Sequence, residues 1–307
     1  MLRLLAKLQS RGTGSVGVRH MYLSYIPPRK LRVSEARSWT PWRLREGLMG
    51  RGRGGKEESP AELGARYRPN PTESASIVTA ATSLLSLTSP TLLTLTLIMP
   101  QNPTILLPRS PPPLLQELSL DATYQTYYTT NEWEPPQGYR LPALRKLYIA
   151  ERYFHEEEFK ALVGSSPGLT HLRLVGVEGN IDVEGVLGPL SRGQPFDETD
   201  LDGHSRSLQT IIIQPRTLPR IYGCGNEAGS YVRPLHALQR LQQDSIGVQV
   251  IFLPPRETSA VPSDVEAKMF WKDSLVSGGG DGRGCWNVDR KVDVEALIMR
   301  AHMVPSF

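Results

Sequence analysis

The sequence predicts an α/β chain built as a stack of short parallel strands, and three observations predict it. The first is a recurring pattern, Leu-x-x-Leu-x-Leu, usually with proline just before it. Its copies are Leu92, Leu95, Leu97; Leu115, Leu118, Leu120; Leu144, Leu147, Ile149; Leu169, Leu172, Leu174; and Leu208, Ile211, Ile213. The second is their spacing, with leading positions 23, 29, 25 and 39 residues apart. The third is 27 glycines and 26 prolines without any period, which excludes collagen-like repeats and a chain ordered from end to end.

The pattern has a physical reading. In the -Leu-x-Leu- piece the two apolar residues share one face of a strand, because successive side chains alternate. One such unit cannot bury its apolar face alone, whereas parallel stacking builds a continuous core. The intervals of 23 and 25 fall within leucine-rich-repeat lengths, 29 sits at their upper edge, and 39 requires an insertion, which the polar run Ser191–Ser207 supplies. The predicted fold is therefore α/β: a short, irregular leucine-rich-repeat-like solenoid with a parallel sheet on its concave side, over residues 76–255. A basic, disordered N-terminal arm (1–75) precedes it, and a C-terminal capping tail (256–307) follows.

Residues 1–70 hold 15 Lys and Arg against 5 Glu, and the rest of the chain is net acidic. The arm carries Gly-Arg-Gly-Arg-Gly-Gly at 50–55 and no sustained apolar period. No acid precedes Glu35, and Leu2, Leu4, Leu5 and Leu8 suit one face of a short helix, a composition compatible with a mitochondrial transit peptide. The stretch from Ala80 to Met99 is mostly apolar, but Pro90 and recurring Thr and Ser interrupt it, so no membrane span is expected.

Further along, His155–Val163 reads as a helix, with Glu156, Glu157 and Glu158 in the turn where the helix dipole favours acids. A weaker helix covers Val183–Leu190. Pro234–Gln243 reads as another, with Pro234 at the first position and Leu235, Leu238 and Leu241 on one side. A last strand follows at Val248–Leu253. In the tail, Ser263 and Glu266 have capping-box spacing, and Val292–Met299 reads as a final helix suited to covering the sheet's edge.

Residues between the buried leucines face away from the core in columns. One column is Thr94, Glu117, Lys146, His171 and Thr210; the other is Thr96, Ser119, Tyr148, Arg173 and Ile212. Parallel neighbours lie about 4.8 Å apart, so Glu117 is expected to meet Lys146, and Tyr148 to stack with Arg173. The same residues serve cross-strand stabilisation or partner recognition. Glu117, Lys146, Tyr148, His171 and Arg173 form the candidate partner-binding patch, centred on Tyr148 and Arg173, residue types common at binding hot spots.

The segments Leu141–Ile149, Ser166–Leu174 and Leu208–Pro215 resemble repeats of fungal F-box-type leucine-rich-repeat proteins. The tail from Trp271 through Gly278-Gly279-Gly280 to Gly284-Cys285-Trp286 resembles the closing segment of such chains. The resemblance covers roughly residues 83–290. It implies repeats that recruit a target protein, and an N-terminal F-box that docks a ubiquitin-ligase adaptor. Residues 1–75 show no apolar helix pattern of the F-box kind.

No catalytic constellation is read. Gly278–Gly284 lacks the Gly-Lys-Ser/Thr ending of a phosphate loop. Glu198, Asp200, Asp202 and Gly203 lack the twelfth-position Glu of a calcium loop, since Gln209 stands there. The six histidines form no metal motif, and the two cysteines, Cys224 and Cys285, make no disulfide framework. Asp202-Gly203-His204-Ser205 holds triad residue types, but sequence neighbours rarely achieve triad geometry and the sequence has no Gly-x-Ser-x-Gly elbow. The expectation is a monomeric, non-catalytic protein without metal or cofactor, intracellular in the cytoplasm or nucleus, binding a partner protein. Nucleic acid is not expected as its main partner. The alternative is association with nucleic acid or an organelle, including mitochondria, through the basic arm, where Arg51-Gly52 and Arg53-Gly54 give one unit of an Arg-Gly segment.

Overall fold

The computed structural model describes residues 17–24, 71–99, 106–122, 138–150, 156–177, 183–194, 207–215, 226–255, 268, 271–272, 286 and 291–303. The Arg-Gly pairs, both cysteines, the acidic loop at 198–203, the Ser263–Glu266 pair and the glycine run at 278–284 lie outside the described residues.

Among the described residues, seven strands form one open, all-parallel sheet whose spatial order is its chain order. They are β1 (His20–Ser24), β2 (Thr94–Met99), β3 (Glu117–Ala122), β4 (Lys146–Ala150), β5 (His171–Val177), β6 (Thr210–Pro215) and β7 (Gln249–Phe252). The leucine pattern marks β2 to β6. Four of its leading leucines close the same turn before their strand: the N–H groups of Leu92, Leu115, Leu144 and Leu169 donate to the carbonyls of Ser89, Pro112, Leu141 and Ser166. That turn buries the leucine and aims the chain into the sheet, and all four are at most 4 % exposed.

The register aligns the apolar positions across the sheet. Leu95, Leu118, Leu147, Leu172 and Ile211 face each other in one row, and Leu97, Leu120, Ile149, Leu174 and Ile213 in the next. Helices cover this face. They are α1 (Pro71–Thr88), α2 (Glu156–Gly164), α3 (Gly188–Ser191, entered through a π turn at Val183–Leu187), α4 (Asn226–Asp244) and α5 (Val294–Met303). Their apolar side chains, among them Leu84, Leu85, Leu162, Leu190, Leu238 and Leu297, join the strand leucines in one core.

The N-terminal arm differs from its expected form. His20–Ser24 is the first strand of the sheet, paired in register with β2, and its Met21 and Leu23 are buried. A five-residue strand with two inward side chains leaves too short an alternation to stand out among basic residues. Helix α1 also begins at Pro71, within the segment read as arm. Its Ser and Thr content argues against a helix, because those hydroxyls compete for the backbone. Here Thr79, Ser83, Ser86 and Thr88 instead donate to the carbonyls of Ala75, Thr79, Thr82 and Leu84, one turn back. Ile77, Ala81, Leu84 and Leu85 then form the packed side.

The apolar stretch 80–99 is divided between α1 and β2 by a 3₁₀ turn at Ser89–Thr91. Among the described residues, no helix is long and apolar enough to cross a membrane.

Two other helix boundaries move. Pro234 lies inside α4 and not at its start, because the helix already runs from Asn226. Helix α5 starts at Val294, where the Asp293 carboxylate accepts from the Glu295 N–H at 3.0 Å as an N-cap. Just before it, the Val292 N–H donates to the Phe252 carbonyl of β7 at 2.9 Å, and α5 packs on α4.

Candidate functional site

The face of the sheet opposite α1 to α5 carries the polar columns, and the register sets them in line. One row runs His20, Thr94, Glu117, Lys146, His171, Thr210 and Gln249. The next runs Tyr22, Thr96, Ser119, Tyr148, Arg173, Ile212 and Ile251. Both contain the residues read from the leucine spacing in the order predicted, extended at one end by β1 and at the other by β7.

Tyr148 and Arg173 meet as expected, with the guanidinium carbon 5.6 Å from the ring centroid. Arg173 Nη2 donates to Gln214 Oε1 at 3.0 Å, and Gln214 Nε2 donates to the Pro254 carbonyl at 3.1 Å. The Arg173 side chain is thereby fixed across β4, β5 and β6. Glu117 and Lys146 behave differently. No ion pair joins them; each engages the indole of Trp286 instead. Trp286 Nε1 donates to Glu117 Oε1 at 3.1 Å, and Lys146 Nζ lies 5.7 Å from the indole centroid. His171 meets the same indole edge-on, with ring centroids 6.0 Å apart and planes at 77°. One side chain from the tail thus spans the first row over three adjacent strands.

Exposure on this face is uneven. Glu117, Lys146 and His171 are half-buried. Tyr148 and Arg173 are each only 5 % exposed, so the centre expected for an open surface patch is covered. Tyr148, Ile212, Ile251 and Trp286 belong to a second, smaller apolar cluster on this side of the sheet. At the β1 end, Tyr22 meets Trp271, another tail residue, with ring centroids 5.4 Å apart.

The electrostatics follow from this packing. Burial lowers the His171 pKa below its ordinary value, and the Lys146 ammonium alongside lowers it further, so the neutral ring is favoured. Its Nδ1 lies 2.8 Å from Thr170 Oγ1, which anchors the ring's inner edge. A neutral ring suits edge contact with the indole, while the Lys146 charge suits the indole's electron-rich face. Among the described residues, no three His, Cys, Asp or Glu side chains gather as metal ligands would.

The sequence reading placed Glu117, Lys146, Tyr148, His171 and Arg173 on one face, and all five lie there. It missed Trp286 as their neighbour. A tryptophan after a glycine-rich run was the only local sign, because no periodicity ties position 286 to strands more than one hundred residues earlier.

Comparison with family models, curated proteins and solved structures yields no match. The fold defines a class: an α/β protein with an open, all-parallel sheet, helices α1 to α5 packed on one face and an ordered ladder of polar and aromatic side chains on the other.

Proposed function

We propose that this chain is a non-catalytic protein-interaction module, a short leucine-rich-repeat-like solenoid that recognises a partner protein on its concave sheet. The observation that carries the reading is the ladder itself. Rows of acidic, basic, imidazole and aromatic side chains run in register across adjacent strands, a rigid surface suited to recognition by shape and charge. The identical turn before four successive strands supports the repeat reading. Glu117, Lys146 and His171 form a half-buried row in contact with Trp286, and Tyr148 with Arg173 forms the buried floor beside it. The resemblance of the repeats and tail to fungal F-box-type chains supports a role as substrate receptor of a ubiquitin ligase; that part rests on resemblance alone.

Affinity capture from native lysate with the full chain tests the reading. Partners retained by the wild type and by Lys160→Glu on α2, but lost with Lys146→Glu on the ladder, support recognition there. Identical partner sets for all three would sink it. Co-purification of a ubiquitin-ligase adaptor supports the receptor role, and its absence with retained partners leaves a stand-alone recognition module. The charge concentrated in residues 1–70 favours a second reading, in which the basic arm ties the chain to nucleic acid or an organelle.

A further inference from the structure

The contact between Trp286 and the ladder combines features that a merely space-filling tail residue does not need. The indole meets a hydrogen-bond acceptor for its N–H, a cation over its face and an imidazole in a T-shaped contact. These groups come from three adjacent strands, each held in register, so the cradle is preorganised by the sheet and not by the tail. It matches an indole specifically: phenylalanine cannot donate to Glu117, and tyrosine carries its donor at a different point of the ring. The tail that delivers the indole has five glycines within residues 278–284.

We propose that Glu117, Lys146 and His171 form an indole-recognition subsite, and that Trp286 occupies it in cis where a partner would insert a tryptophan of its own. The tail is then an internal competitor, and partner capture requires exchange of one indole for another. This rests on the reading of the sheet face as the partner surface and names the chemistry of the partner: an exposed segment carrying tryptophan.

The test uses the full chain and a fluorescent peptide with the chain's own sequence from Asp281 to Lys291, with Cys285 replaced by serine. Folded Trp286→Ala protein should bind this peptide saturably and should ignore the same peptide with its tryptophan changed to alanine. A competitor tethered in cis acts at a local concentration on the order of millimolar, so the wild-type chain should bind the peptide at least about tenfold more weakly. Glu117→Gln in the Trp286→Ala background should weaken binding. Trp286→Phe, which keeps the ring and loses the donor, should bind at an intermediate level.

Equal binding by wild type and Trp286→Ala would overturn the proposal, as would no binding or binding independent of the peptide's tryptophan. If Trp286→Ala and Trp286→Phe both fail to fold, Trp286 is a structural plug and the proposal is likewise overturned. None of these outcomes affects the lysate comparison of Lys146→Glu with Lys160→Glu, so failure of the subsite and failure of the partner surface are separately visible.

Discussion

Trp286 donates its indole N–H to the carboxylate of Glu117 across 3.1 Å, although 169 positions separate them in the chain. The contact ties the tail to the middle of a sheet whose other pairings all join consecutive strands. Trp286 is 6 % exposed, so its removal should be measurable. Core Trp→Ala changes cost about 3–5 kcal/mol, and a value at or below the low end, about 3 kcal/mol, is expected here because half-buried polar groups line one side. Glu117→Ala removes the acceptor and the short half-buried stem that carries it, and should cost about 1 kcal/mol. Urea unfolding monitored by circular dichroism gives both values. A Trp286→Ala protein as stable as wild type would mean that the indole does not seat on the ladder in solution.

Leu147 on β4 is fully buried at the centre of the core. Leu147→Ala should destabilise by about 3–4 kcal/mol, the sum of lost transfer energy and a cavity that a tight sheet cannot close. Lys160 pairs with Glu156 at 2.6 Å on the partly exposed side of α2, and its pKa is raised chiefly by the hydrogen bond to Glu156. Lys160→Ala should nevertheless stay within about 0.5 kcal/mol of wild type, because exposed ion pairs contribute little. The same unfolding experiment ranks the two.

His171 has a folded-state pKa below its ordinary 6.5, first through burial and second through Lys146. The unfolded chain therefore takes up a proton at higher pH than the folded chain does. Its contribution to stability is complete above the unfolded value and is lost as pH falls from there through the folded value. Urea midpoints measured from pH 7.5 down to 5 should fall on acidification, and His171→Gln should flatten part of that slope. An unchanged slope in the variant would assign the acid limb to other groups.

The N-terminal strand makes a prediction that the charge pattern alone does not. Met21 and Leu23 are both buried against the sheet. Removing residues 1–24 strips β1 and bares the β2 edge, which removing residues 1–16 does not. The longer truncation should lose about 3–6 kcal/mol, at roughly 1.5–3 kcal/mol for each buried side chain, and should self-associate through the exposed edge in size-exclusion chromatography. Equal behaviour of the two truncations would show β1 to be dispensable. Nucleic-acid binding by the basic arm, whose charge extends through residues 1–70, should decline steeply with salt.

The sheet from β2 to β6 was legible because its signal is periodic and local. Leu95 and Leu97, or Leu172 and Leu174, announce a strand two residues at a time, and the recurrence of the unit fixes the register between strands. Knowing which residues are inside also fixes which lie outside, so the Tyr148–Arg173 stack followed from spacing. Helix α1 was illegible because its hydroxyl-rich sequence pulls against its conformation until the one-turn-back hydrogen bonds form. The extension of α4 upstream of Pro234 was masked by the proline itself, which ordinarily marks a helix start. The covering of Glu117, Lys146 and His171 by Trp286 was illegible for a different reason: it is a single long-range contact, and no pattern in either segment requires the other.

That long-range contact has a temporal consequence. A ribosome delivers β3, β4 and β5 well before it delivers position 286, and chain segments begin to fold as they emerge. For the interval needed to translate the residues between, the nascent sheet can already display Glu117, Lys146 and His171 with no indole of its own to set over them. The newborn protein and the finished one therefore present different faces to their surroundings.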